Sequence, residues 1–178
     1  MRKCFRAWIL NFLWGLELGI WRFKSMSIEI FNRQRARKIN RRLLKQITTA
    51  LLADLEIGNV ELGIHLVAAL EMARLNEKFL RHTGPTDVIT FDYLVPGSRT
   101  PDPGPQIHGE IFICVDEALR QARKFGTSWQ SELVRYIIHG VLHLLGFDDA
   151  GAGARRKMKR EENRRLRELS RRFPLSKL

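Results

Sequence analysis

The stretch His139-Gly140-Val141-Leu142-His143-Leu144-Leu145-Gly146-Phe147-Asp148-Asp149 constrains this chain more than any other, because it specifies a helix, its end and a set of ligands together. At about 100° per residue, side chains four apart stand one turn above each other, so His139 and His143 project from one helix face. Gly146 can take the left-handed conformation that stops a helix, and the chain then turns so that Asp149 swings back towards that face. Three protein ligands with a fourth position open is the pattern of a catalytic zinc, whereas structural zinc sites close all four positions. Two histidines at this spacing also occur as a polar stripe on a core helix. Gly146 and Asp149 at these offsets are what favour the metal.

The surroundings predict an α+β class: one domain, a small mixed sheet of about four strands packed with helices, and the metal site on a central helix and the turn after it. Leu133, Ile137, Ile138, Val141, Leu142 and Leu145 give the histidine helix a broad apolar surface, which makes it central. Thr127 with Gln130 reads as a capping box that opens it. Glu132 reads as an exposed glutamate, with the orienting of a ligand as the alternative. Strands are expected at Ser27–Phe31, Val60–Leu66, Asp87–Phe91 and Glu110–Val115, with helices through Ile39–Leu55, Ala68–Leu80 and Asp116–Phe125. His65 falls on the polar side of a strictly alternating strand and is expected in solvent. The four prolines between Val95 and His108 predict an irregular exposed loop that includes His108, with a minor site role left open. Residues after Phe173 are expected to fray.

Charge is unevenly spread. The net charge of +12 divides into twelve Lys/Arg against two Asp/Glu over residues 1–45, eight against fourteen over 46–154, and eleven against three over 155–178. The metal segment is acidic and both ends are basic, which suits ends that contact phosphates while the middle does chemistry. The alternative for Ala154 to Arg172 is a solvated helix face on which Glu161, Glu162 and Glu168 pair locally. Cys4 and Cys114 form no disulfide framework, which points to a reducing cytoplasm, and Cys114 reads as a small core residue. Residues 1–25 read as an N-terminal extension ahead of a functional domain at 26–173. Arg2, Lys3 and Arg6 precede an apolar run, Ala7 to Trp21, that resembles a signal peptide without a cleavage site. The run is too short to span a bilayer, a membrane role is not expected, and an upstream start with Met26 opening the functional chain is preferred. An interfacial helix is the other reading of its tryptophans.

The metal segment resembles the signature HGxLHLxGYDH of the YbeY-type endoribonucleases, bacterial ribosomal-RNA maturation factors, through His139, Gly140, Leu142, His143, Leu144, Gly146 and Asp148. Leu75-Asn76, then Thr86-Asp87-Val88-Ile89-Thr90-Phe91, then Gly109-Glu110-Ile111-Phe112-Ile113-Cys114 resemble that family's LN, TDVLSF and GDIxIC segments in order. The resemblance implies one Zn2+ on His139, His143 and Asp149, single-stranded ribosomal RNA as substrate, and a role in 3′-end maturation of the small-subunit RNA and in ribosome quality control. It also implies the small ribosomal subunit and its proteins as partners. Two positions depart from the pattern. Asp149 stands where the signature ends in histidine. Leu80 stands where the family carries an arginine, and Arg81, one place later, is the candidate phosphate-binding residue, with a solvated helix-end arginine as the alternative. Zinc proteases of metzincin type share the ligand spacing but carry a glutamate as base where this chain has Gly140. A ribosome-assembly binding protein with a structural zinc is the remaining alternative.

Overall fold

The computed structural model describes residues 26–94 and 105–178. The chain runs β1 (Met26–Asn32), α1 (Arg41–Asp54), β2 (Asn59–Val67), α2 (Ala69–Leu75) with a π turn at Asn76–Leu80, β3 (Val88–Asp92), β4 (Gln106–Cys114), α3 (Val115–Phe125), α4 (Trp129–Leu144) and α5 (Ala152–Arg172). The four strands form one mixed sheet in the order β1-β2-β4-β3, in which β1, β2 and β4 run parallel and β3 is antiparallel to β4. This is the α+β arrangement the alternation predicts. The N-terminal extension at residues 1–25 and most of the proline-rich segment, 95–104, lie outside the described residues.

The core follows from strand periodicity. Ile28 on β1, Val60, Leu62, Ile64 and Leu66 on β2, and Ile107, Ile111 and Ile113 on β4 share one face and are buried under α1, α4 and α5. Helix α1 starts at Asn40, whose side-chain oxygen accepts from the Leu43 amide at 3.1 Å. Its buried residues Leu44, Ile47, Leu51 and Leu52 recur at helical spacing.

The second sheet face departs from the alternation argument. Val67, Met72, Ile89, Phe112 and Cys114 form a smaller core there with α2, so the C-terminal halves of β2 and β4 are buried on both faces. His65 is therefore not in solvent. It is 9% exposed and sandwiched between Phe31 and Phe112, with ring centroids 4.7 and 4.3 Å away. Arg33 donates to its Nδ1 at 3.0 Å, which leaves Nε2 to donate to Glu110 Oε1 at 3.1 Å. His108 is likewise a residue of β4 and not of a loop, opposite Glu61 at 3.6 Å, because parallel pairing with β2 draws the chain into the sheet from Gln106 onward. Burial pushes the Cys114 thiol up to about 11, as expected of an inert core cysteine.

The chain end is also ordered. Leu175–Lys177 form a 3-10 turn, Leu175 and Leu178 are buried in the main core, and the Leu178 carbonyl accepts from the Asn40 amide at 3.2 Å. The expected fraying fails because two leucines here have an apolar surface to cover. Deleting residues 174–178 is expected to lower stability by roughly 2–5 kcal/mol, the cost of exposing two buried leucines. Urea denaturation measures this, and an unchanged midpoint would contradict the packing described.

Candidate metal centre

Helix α4 begins at Ser128, whose hydroxyl oxygen accepts from the Ser131 amide at 3.2 Å. The capping box expected from Thr127 and Gln130 is not formed. Thr127 instead donates its hydroxyl to Glu132 Oε1 at 2.7 Å. The helix lies on β4 so closely that a Cβ at Gly140 would stand 2.7 Å from Ile111 Cγ2, so any larger residue at position 140 must displace the Ile111 side chain. That face is the buried one, which leaves His139 and His143 on the flank.

The helix end completes the cluster. Gly146 has φ of 87°, its amide donates to the His143 carbonyl at 2.8 Å, and the Phe147 amide donates to the Leu142 carbonyl at 3.0 Å. This Schellman closure reverses the chain. It delivers the Phe147 carbonyl to within 3.0 Å of His143 Nδ1 and brings Asp149 to the histidines. One ligand atom from each of His139, His143 and Asp149 lies within 4.8 Å of the others.

The hydrogen-bond partners place a hydrogen on Nδ1 of both rings. A carbonyl only accepts, so His143 Nδ1 carries a hydrogen. His139 Nδ1 lies 2.7 Å from Glu162 Oε1, and the same argument applies to it. The two Nε2 lone pairs are then left facing each other at 2.9 Å. A proton on one of them makes an N–H···N hydrogen bond, which the raised pKa of His139 favours; with both rings neutral the lone pairs repel, and a metal ion in the proton's place relieves that. Asp149 adds a negative charge to the same point. Two nitrogens and one carboxylate oxygen, all partly exposed, suit zinc with room for a further ligand.

Glu162 is the principal residue that the sequence reading misses. It does not pair locally on its own helix but reaches from α5 to His139, and its other oxygen lies 3.7 Å from Arg135. Arg135 also meets Glu132 at 3.5 Å and Asn163 at 2.6 Å. Glu132 is buried, 6% exposed, against the expectation that it faces solvent. It touches neither histidine and acts at one remove through Arg135 and Glu162. A signal for Glu162 was available: Met158, Glu162, Arg165 and Leu169 are the buried positions of α5 and recur at helical spacing, so a carboxylate on that stripe needs a partner. Burial disfavours a charge on His139, but the bond to Glu162 and the charges of Glu162, Asp87 and Asp149 outweigh it and hold the imidazole above its ordinary value. Asp87 thus brings the Thr86-Asp87-Val88 segment into the site's field.

Arg81 is not part of this cluster. It follows the π turn with φ of 57° and is exposed, with no hydrogen bond or ion pair among the described residues. Asn76, by contrast, is buried and donates to the Gly84 carbonyl at 2.7 Å, which pins the loop that carries Arg81.

A four-stranded mixed sheet packed with helices, with two imidazoles and a carboxylate gathered at the end of its central helix, defines a small α+β domain with a candidate metal site. The family model for endoribonuclease YbeY matches residues 23–170, and the chain belongs to that family. The endoribonuclease YbeY of Corynebacterium efficiens is 38% identical over 139 residues, covering 75% of this chain and 70% of that protein. The Chlorobium luteolum endoribonuclease YbeY is 35% identical over 150 residues, covering 82% and 100%. The solution structure of TM1509 from Thermotoga maritima superposes with a TM-score of 0.57 at 28% identity, over 80% of this chain and 89% of that one. Among the described residues no helix is long and apolar enough to cross a membrane.

Replacing Glu162 with Gln is expected to weaken zinc binding about 10- to 100-fold at alkaline pH. Metal must displace the His139 proton, so parent affinity falls as pH drops through the raised imidazole pKa. In the variant that fall should move to lower pH. Competition with a chromophoric chelator across pH measures both, and identical curves for the two proteins would show that Glu162 does not act on the ligand.

Proposed function

We propose that this endoribonuclease works through one zinc ion held by His139, His143 and Asp149, and that its substrate is single-stranded ribosomal RNA at the 3′ end of the small-subunit precursor. The observation that carries the reading is the pair of Nε2 atoms left facing each other at 2.9 Å by Nδ1 bonds to Phe147 and Glu162. When bound, zinc supplies Lewis acidity toward a phosphate oxygen and lowers the pKa of water. The chain's own contribution is rigidity and field. Burial of α4 fixes both rings, the Phe147 carbonyl and Glu162 fix their tautomers, and Glu162 raises the basicity of His139 as a ligand. Asp149 brings a negative charge where the family signature has a neutral imidazole, which reduces the electrophilicity available at the site and is expected to slow turnover, not to abolish it.

Arg81 is proposed as the phosphate grip. It is exposed, has no ion pair among the described residues and lies on a loop anchored by Asn76, and its fork can hold a phosphodiester by two parallel hydrogen bonds. The small ribosomal subunit and its proteins are the proposed partners, in ribosome quality control as well as maturation, and the cytoplasm is the proposed compartment. The proposed domain, expected at residues 26–173, also takes in Leu175 and Leu178, which lie in its core. A protease reading has no support at Gly140, since that position faces Ile111 and a glutamate base there would collide with β4.

His143→Ala is expected to abolish both zinc retention and cleavage of a ribosomal RNA precursor fragment, measured by metal analysis and gel assay on proteins purified identically. Equal residual cleavage by parent and variant would overturn the assignment. Arg81→Ala is expected to keep its zinc and raise KM roughly tenfold, the loss of one charge-assisted phosphate contact. An unchanged KM would return Arg81 to an ordinary solvated arginine.

A further inference from the structure

Helix α5 leaves the metal turn directly, and Arg155 near its start donates Nε to the Asp149 carbonyl at 3.3 Å. Its three glutamates are all engaged: Glu161 with Arg164 and Arg165, Glu168 with the same two arginines, and Glu162 with His139 and Arg135. Lys157 lies over the Phe147 ring and Arg172 pairs with Asp54. What remains is a set of one sign. Arg156, Lys159, Arg160, Arg167 and Arg171 are exposed, and none has a hydrogen bond or ion pair among the described residues.

These five share one side of the helix. At about 100° per residue, Arg160, Arg167 and Arg171 fall within roughly 60° of Arg156, and Lys159 flanks them on the side of Arg155. No acidic residue falls in that sector, because Glu161, Glu162 and Glu168 lie towards the buried side. Like charges one turn apart on a helix repel by a few tenths of a kcal/mol per pair, with nothing in the described chain to offset it. A polyanion offsets it. The stripe spans about 22 Å, with cations at steps of about one or two helical turns, a repeat comparable with the separation of phosphates along an extended strand. Arginine forks suit phosphate oxygens, and a rigid helix holds them in register.

We propose that this face of α5 is a docking track for the phosphodiester backbone of an RNA strand, running from the metal turn towards Arg171 and holding the nucleotides on one side of the cleavage position. The proposal rests on the endoribonuclease reading above and adds the surface that supplies affinity. The metal cluster then acts on a strand already held beside it, because Arg155, next to the first cation of the track, donates to the Asp149 carbonyl.

The test compares three zinc-loaded full-length proteins binding a fluorescein-labelled, single-stranded 2′-O-methyl RNA longer than the track, by anisotropy over a salt series. They are the parent, a variant with Arg156, Arg160, Arg167 and Arg171 each replaced by Gln, and a control with Arg74, Arg120, Arg123 and Lys124 replaced by Gln on α2 and α3. Circular dichroism and zinc content confirm that each is folded and loaded. The α5 variant is expected to bind at least about tenfold more weakly. Its slope of log affinity on log salt should be shallower by about 3, since each lost single-strand phosphate contact removes about 0.7. The control should stay close to the parent. An α5 variant with the parent's slope, or a control that loses as much, would overturn the track. So would an α5 variant that keeps its RNA affinity but loses binding to phosphatidylglycerol vesicles, which would make the stripe a lipid-surface contact. Absence of RNA binding by the parent would instead sink the endoribonuclease reading on which the track depends.

Discussion

Helix α4 can hold two imidazoles turned towards one another because the face beside them is locked into the sheet. A β-carbon at Gly140 would meet the Ile111 side chain at 2.7 Å, so glycine lets the helix seat closely on β4 with Ile111 undisturbed. Leu133, Ile137 and Leu144 are buried on the same side of the helix as Gly140. That seating removes rotational freedom from the helix and hence from His139 and His143. The two Nε2 atoms are then held 2.9 Å apart, a spacing that favours a proton or a metal ion between them.

The same logic extends outward in layers. The Gly146 closure is a helix stop, but it also aims the Phe147 carbonyl at His143 and returns Asp149 to the cluster. Helix α5 follows at once, and its buried stripe delivers Glu162 to His139. Glu162 is itself steadied by Arg135, which Glu132 holds from the first turn of α4. A buried charge network of this kind is weak evidence for stability, since desolvation offsets much of its attraction. Its consequence here is orientation.

The sequence made the ligand cluster legible because its geometry is local: His139, His143, Gly146 and Asp149 interact through one helix and one turn. The positions of β2 and β4 were also within reach, since alternation at Val60–Leu66 and the apolar run at Ile111–Cys114 mark them as strands. What escaped was tertiary. His65 reads as a surface residue by period two, but Phe31 and Phe112 close over it from neighbouring strands. Glu162 reads as one more charge on a highly charged helix, and only its place on the buried stripe sets it apart. Leu175 and Leu178 read as a tail because two apolar residues after a proline carry too weak a pattern to reveal the surface they cover.

Zinc-edge X-ray absorption on the purified full-length protein tests the central claim most directly. The account predicts one tightly held ion with nitrogen and oxygen neighbours at about 2.0–2.2 Å and the outer-shell scattering of two imidazoles, reduced to one in the His143→Ala protein if any metal is retained. Tight zinc without imidazole scattering, or no zinc above background in a folded protein, would contradict it.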